Sequence, residues 1–147
     1  MNQKRLHKHD PVATRLKDAG LKLTHQRLAI YQALADTESH PTAEEVHAAV
    51  KRSYPMMSLN TVYTTLETLK SIGLIQEMRF LDNIARYDAN VDPHHHVVCV
   101  ACRRVEDFED AALDRIQAPA AVKRRYRLVG HHVQFLGYCP SCRSEGH

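Results

Sequence analysis

The sequence predicts an α+β fold, with an N-terminal winged helix-turn-helix domain followed by a small α/β domain. The first half contains several helix-length apolar patterns that begin at recognisable capping residues. Two short apolar runs around a polar turn, residues 74–80 and 84–87, follow these patterns and predict a β-hairpin. The second half alternates short strand-like runs with one helical segment. We expect the domains to cover residues 1–87 and 88–147.

Composition limits the classes of protein to which the chain can belong. The 147 residues suffice for one ordinary domain or two small ones, and 44% hydrophobic with 25% charged residues is typical of a globular protein. No apolar run reaches the roughly 18 residues that a membrane span needs. Residues 1–9 lack the apolar core of a signal peptide, so we expect a cytoplasmic protein.

Positive charge is concentrated in the first half. Residues 1–80 carry 11 Lys and Arg against 8 Asp and Glu, whereas residues 81–147 carry 9 of each. The excess indicates that phosphate groups would bind to the first half. An ordinary solvated surface is the alternative interpretation.

Capping signals mark boundaries of the predicted helices in the first half. Residues 12–19 form a short helix that ends at Gly20, and Thr24 caps a second helix. Thr42 and Glu45 have the spacing of a capping box at the start of a third.

The helix over residues 59–72, capped by Ser58, is predicted to enter the DNA major groove. Its apolar stripe faces the core, and its other face carries short polar side chains and one tyrosine. In a winged helix-turn-helix this is the recognition helix. The alternative is a helical bundle whose polar face is only solvated. The polar face comprises Asn60, Thr61, Thr64, Thr65 and Lys70, and Tyr63 lies beside it.

The second half is too short to bury a large core alone. Strands are predicted at 97–100, 105–108, 126–129 and 133–136, with a helix over 111–117 before Pro119. A metal, a partner subunit or both must therefore stabilise this domain.

All four cysteines occur in two Cys-x-x-Cys pairs, Cys99 with Cys102 and Cys139 with Cys142. Four thiolates at this spacing complete a tetrahedral zinc site with no open position, which is a structural site. Disulfides and a redox thiol pair are the alternatives, and a reducing cytosol disfavours the first.

Three consecutive histidines precede the first cysteine pair. On a strand, His94 and His96 point to one face and His95 to the other. Asp88 and Asp107 offer oxygen ligands nearby, and a mixed nitrogen and oxygen set suits Fe²⁺, Mn²⁺ or Zn²⁺. The alternative is that these histidines are ordinary polar residues on the surface.

The chain resembles the ferric-uptake-regulator (Fur) superfamily of metal-dependent bacterial repressors over nearly its whole length. The motifs that carry the resemblance are Leu23-Thr24-His25-Gln26-Arg27, His40-Pro41-Thr42-Ala43, Ser58-Leu59-Asn60-Thr61-Val62-Tyr63, Arg86-Tyr87-Asp88, His94-His95-His96 and the two cysteine pairs. The resemblance implies a homodimer that binds a palindromic double-stranded DNA operator and represses transcription when metal is bound. It also implies that the second domain is the dimerisation domain.

The resemblance implies two metal sites. The structural zinc falls on the four cysteines, and the regulatory Fe²⁺ or Mn²⁺ falls on His40, Asp88, His94, His96 and Asp107. These ligands come from both domains, so the metal would fix the angle between them and thereby control DNA binding. A further metal site would use His95, Asp114 and His131, although Pro93 replaces a histidine often found there.

At position 107 the chain has aspartate, which resembles the PerR-type peroxide sensors of this superfamily, since they usually have aspartate there. Iron-uptake members usually have glutamate at this position. The resemblance therefore implies a peroxide sensor that acts through Fe²⁺-catalysed histidine oxidation. An iron-uptake or other metal-responsive repressor is the alternative. The expected DNA contacts are Arg15, Lys22, Arg27, Asn60, Thr61, Tyr63 and Thr64.

Two other classes of protein compete with a regulator. An enzyme would need a nucleophile–base set and an open metal position, and neither is apparent, so we do not expect enzymatic activity. A metal-storage or purely zinc-structural protein would hold metal without binding promoter DNA.

Overall fold

A computed structural model describes residues 12–145, which form two compact units that divide between Val91 and Asp92. The N-terminal residues 1–9, in which no signal peptide was predicted, lie outside the described residues. Asp88, predicted to begin the second domain, is the last residue of a strand in the first unit. Among the described residues, no helix has both the length and the apolar character that crossing a membrane requires.

The first unit consists of four helices followed by a two-stranded antiparallel hairpin. Its elements are α1 (Val12–Asp18), α2 (His25–Ala35), α3 (Ala43–Val50), α4 (Leu59–Ser71), β1 (Gln76–Arg79) and β2 (Ala85–Asp88). This order of elements confirms the predicted winged helix-turn-helix.

The predicted helix caps are confirmed at atomic level. The side chains of Thr24 and Ser58 accept hydrogen bonds from backbone N–H groups in the first turns of α2 and α4. Thr42 and Glu45 form both bonds of a capping box. Each cap satisfies donors that would otherwise have no partner inside the helix, so these starts are fixed by local sequence.

The core of the first unit lies between α2, α3 and α4. Ile30, Leu34, Val46, Leu66 and Leu69 are each at most 1% exposed. Because these side chains recur at three- and four-residue steps, one stripe of each helix is removed from water.

Strand β2 is also attached to the chain just before α3. The Tyr87 N–H donates to the Pro41 carbonyl at 3.0 Å, and Thr42 forms an isolated antiparallel bridge with Arg86. This pairing brings His40, the residue before Pro41, close to the end of β2.

The second unit contains a three-stranded sheet in the order β4-β3-β5. Strand β3 pairs antiparallel with β4 and parallel with β5. The elements are β3 (His95–Cys99), β4 (Val105–Phe108), α5 (Ala111–Asp114), α6 (Ala120–Arg125), β5 (Gln134–Gly137) and α7 (Pro140–Ser144).

The predicted strand at residues 126–129 is wrong. The structure has helix α6 immediately after Pro119, and residues 126–133 lie outside every strand of the described chain. Apolar residues such as Leu128 and Val129 are 48% and 96% exposed, and no strand of this unit pairs with them. Apolar character alone could not reveal that a pairing partner is missing.

Truncation of Leu66 should destabilise the first unit severely, because the side chain is fully buried in α4. We expect Leu66→Ala to lower the free energy of unfolding by about 2–5 kcal/mol. Urea unfolding followed by circular dichroism at the helix band measures this. The matched control is the exposed neighbour Glu67→Ala, with an effect within about 0.5 kcal/mol, and equal losses in both variants would contradict the assigned core.

Candidate metal centres and nucleic-acid interface

The four cysteines converge at one end of the second unit. Cys99 ends β3 and Cys102 lies in the turn that follows, while Cys139 caps α7 and Cys142 lies inside it. The parallel pairing of β3 with β5 brings these two chain segments together. All four residues carry free thiols, and their sulfur atoms lie within 4.8 Å of one another.

The sulfur geometry fits a tetrahedral metal and not a disulfide. The sulfurs of Cys102 and Cys139 are 3.7 Å apart. Zinc–sulfur bonds of about 2.3 Å in a tetrahedron place two sulfurs about 3.8 Å apart, whereas a disulfide bond is about 2.0 Å long. The donor set and its spacing therefore fit Zn²⁺.

The thiols of Cys99 and Cys142 differ in their pKa values. Hydrogen bonds from the backbone N–H groups of Cys102 and Cys139, at 3.5 and 3.4 Å, lower the pKa of Cys99 to about 6. The side chain of Cys139 and burial raise the pKa of Cys142 to about 12. Four adjacent thiolates repel one another, and a divalent cation offsets that repulsion.

In the described part of the first unit, an imidazole and a carboxylate form a pair. Nε2 of His40 lies 3.3 Å from Oδ2 of Asp88, and both side chains are fully buried. The other carboxylate oxygen of Asp88 accepts a hydrogen bond from the Asn90 N–H at 2.8 Å, which fixes its orientation. His40 has a φ of 49°, a left-handed conformation that residues other than glycine adopt rarely.

The second unit holds two imidazoles around one carboxylate. Nε2 of His94 lies 3.6 Å from Oδ2 of Asp107, and Nε2 of His96 lies 3.3 Å from Oδ1. Nδ1 of His94 is 2.7 Å from the Asp92 carbonyl, to which it can only donate. In the neutral ring Nε2 is then an acceptor that points at a carboxylate, and a cation would satisfy both groups.

Strand register determines which carboxylate of β4 lies beside the two imidazoles. His96 is paired with Asp107 across β3 and β4, whereas the adjacent Glu106 is paired with Val97. Successive side chains of a strand point to opposite faces, so Asp107 shares a face with His96. Glu106 is exposed and lies 3.9 Å from Arg104.

His95 points away from that face, as the alternation of side chains along a strand predicts. Its Nδ1 accepts a hydrogen bond from the Val133 N–H at 3.0 Å, so the ring proton is on Nε2, which donates to Asp114 at 2.8 Å. The ring of His131 lies 6.2 Å from that of His95, and its Nε2 donates to the Leu113 carbonyl. His95 and Asp114 are therefore joined by a hydrogen bond, His131 lies near them but is bonded to Leu113, and His95 would have to give up a hydrogen bond to bind metal.

An open groove of about 570 Å³ lies on the first unit between the α1–α2 connection and α4. It brings together five of the seven expected DNA contacts. These are Lys22, Arg27, Asn60, Thr61 and Thr64. Thr24 and Gln26 also line this groove; they belong to a motif that carries the family resemblance but were not among the expected DNA contacts.

The other two expected DNA contacts lie outside the residues that line the groove. The guanidinium of Arg15 donates to the Ile72 carbonyl at 2.9 Å and so binds the end of α4. The Tyr63 hydroxyl donates to the Glu44 carboxylate at 2.6 Å. Glu44 was not among the predicted site residues, because its position in the first turn of a helix is unremarkable in sequence.

Comparisons with known proteins agree with this architecture. Residues 18–136 match the ferric uptake regulator family. The "Peroxide-responsive repressor PerR" of Staphylococcus epidermidis is 34% identical over 131 residues, which are 89% of this chain and 87% of that protein.

Two solved structures are similar over nearly their full length. The peroxide stress regulator of Campylobacter jejuni has a TM-score of 0.67 and 34% identity, with 90% of this chain and 99% of that chain covered. The ferric uptake regulator of Pseudomonas aeruginosa, solved with manganese, has a TM-score of 0.71 and 30% identity, with 88% and 99% covered. The chain belongs to the ferric uptake regulator family.

Proposed function

We propose that this chain is a metal-dependent, DNA-binding transcriptional repressor that responds to peroxide. The observation that carries the proposal is the presence of an imidazole–carboxylate group in each unit, in a chain that also has a four-cysteine cluster. Membership of the ferric uptake regulator family and the similarity to peroxide-responsive repressors support this function over the metal-uptake alternative.

The groove beside α4 supports DNA as the ligand. It combines the cations Lys22 and Arg27 with the short polar side chains of Asn60, Thr61 and Thr64. Cations at a groove edge bind phosphates, and short polar groups on a recognition helix contact base edges. In this proposal Arg15 fixes the end of α4, and Tyr63 contacts the major groove.

The cysteine cluster is a site for structural zinc, and the histidine–aspartate groups are a site for a regulatory metal. For the regulatory metal we assign His40 and Asp88 from the first unit, and His94, His96 and Asp107 from the second. Nitrogen and carboxylate ligands without thiolate suit Fe²⁺ and Mn²⁺. Ligands drawn from two units would make DNA binding depend on the metal, because the metal stabilises one arrangement of the units over others.

Ferrous iron, when bound, would supply the chemistry that reduces hydrogen peroxide. His40 and His94 serve as its ligands and as the groups that are oxidised. An imidazole that gains an oxygen atom binds metal more weakly, so the two units lose their link. Peroxide thereby lowers the affinity of the repressor for DNA.

We also propose that the protein forms a homodimer through β5. Strand β5 is an edge strand of its sheet, and Phe135, Leu136 and Tyr138 are about half exposed. An edge strand with apolar side chains pairs readily with a second copy. A homodimer would present two copies of the winged helix-turn-helix unit to a palindromic operator. We also propose that the protein acts in the cytoplasm, where its DNA would be, and has no enzymatic activity.

Peroxide should modify the iron-loaded protein at defined histidines and release it from DNA. We expect tandem mass spectrometry to locate one added oxygen on His40 or His94 after brief exposure, because these imidazoles are iron ligands. The manganese-loaded protein should stay unmodified and bound. His47 and His95 provide internal controls, because tryptic digestion leaves them on the same peptides. Peroxide-induced release without histidine oxidation would contradict the proposed sensing mechanism.

Loss of one cysteine should release the structural zinc. We expect Cys102→Ser to bind far less than the roughly one zinc ion per subunit of the native protein and to weaken its dimer, since metal binding contributes folding free energy. Elemental analysis and sedimentation velocity measure the two effects. Ser141→Ala, between the second pair of cysteines, is the control and should retain zinc. A zinc-free Cys102→Ser protein that remains a stable dimer would rule out the structural role.

A charge on β5 should disrupt the dimer. Leu136→Asp places a carboxylate in the proposed interface of each subunit, and desolvation and repulsion should weaken association by about tenfold or more. Sedimentation equilibrium gives the dissociation constant. Met56→Asp, which alters an exposed apolar residue of the first unit, should leave it unchanged. Equal effects of the two substitutions would place the interface elsewhere.

A further inference from the structure

The hydrogen bond between Tyr63 and Glu44 joins the proposed recognition helix to the helix before it. The Tyr63 hydroxyl donates to Oε1 of Glu44 at 2.6 Å, a short and charge-assisted bond. Both side chains are exposed, so they share the solvent face of this helix pair.

Both partners are held by well-defined local structure. Glu44 lies in the first turn of α3, where the helix dipole favours a carboxylate and the Thr42–Glu45 capping box fixes the backbone. Tyr63 lies in the second turn of α4, whose neighbouring residues Val62 and Leu66 are fully buried. The phenol ring therefore projects from a rigid surface.

The protonation states of the pair are also fixed. The hydrogen bond from Tyr63 lowers the pKa of Glu44, and the carboxylate raises the pKa of Tyr63. At neutral pH the proton consequently stays on the phenol and is directed at Glu44. A phenol has one proton to donate, so the oxygen of Tyr63 can act towards DNA only as an acceptor.

We infer that Glu44 engages the phenol proton of Tyr63 and leaves the phenol oxygen as a hydrogen-bond acceptor. The pair therefore recognises an exocyclic amino group of adenine or cytosine in the major groove. This inference rests on the proposed DNA-binding function and adds a base preference to it. The amino groups N6 of adenine and N4 of cytosine are the donors on the major-groove edge, whereas guanine and thymine present acceptors there. A carboxylate beside the phenol repels phosphates as well. Glu44 is thus a positioning residue that acts through Tyr63.

A near-isosteric substitution separates this role from a purely structural one. In Glu44→Gln the new amide N–H can donate to the phenol oxygen, which frees the phenol proton to bind a base acceptor. The shape of the surface is retained while its polarity changes. Tyr63→Phe removes the oxygen altogether, and Glu38→Gln, at an exposed loop position, is the control for lost charge.

The test uses the full-length, manganese-loaded protein and a library of random-sequence DNA duplexes. Sequences enriched by the native protein are resynthesised with single adenines replaced by purine, which lacks N6, and single cytosines by 2-pyrimidinone, which lacks N4. We expect one position in each half-site at which loss of the amino group weakens native binding about tenfold, the scale of one well-placed hydrogen bond.

The variants give the decisive comparison. At that position Glu44→Gln and Tyr63→Phe should lose most of the tenfold discrimination, while Glu38→Gln should keep it. An unchanged discrimination pattern in Glu44→Gln, or no amino-dependent position in the native site, would overturn the inference and leave the proposed function intact. If the native protein enriches no sequence at all, the proposed function fails and the inference with it.

Discussion

The scarcity of buried apolar surface in the second unit is the constraint on which much else depends. Among the described residues of this unit, the buried apolar side chains are Val98, Cys99 and Cys142, and two of these are thiols of the metal cluster. A unit of this size cannot offset its loss of chain entropy with so little burial. A zinc ion in the sulfur cluster and the proposed second subunit on β5 would supply the stability that a core supplies elsewhere.

Within each unit, the buried imidazoles lie beside a carboxylate of the same unit. His40 is fully buried in a left-handed backbone conformation and Asp88 is fully buried at a strand end, so both carry the cost of desolvation. Strained and desolvated polar residues persist where function requires them. Buried imidazoles and carboxylates thus destabilise each unit, and a bound cation would offset part of that destabilisation.

The sequence predicted those structural features that depend on residues close together in the chain. Thr24, Thr42 and Ser58 specify helix starts within three residues, and a period of two separates His95 from His94 and His96. What the sequence could not reveal depends on contacts between distant segments. The absence of a partner for residues 126–129 and the contact of Glu44 with Tyr63, 19 residues apart, both follow from tertiary packing.

The parallel pairing of β3 with β5 also determines the order in which the chain can fold. The hairpin of β1 and β2 in the first unit joins neighbouring segments, and both strands are available once Asp88 has been synthesised. In the second unit His96 pairs with Gln134, and Cys99 must meet Cys142, so a loop of about 40 residues must close first. During synthesis the winged helix can therefore become ordered well before the metal-binding unit. A newly made chain would pass through a stage in which its winged helix is ordered but its sulfur cluster is not yet assembled.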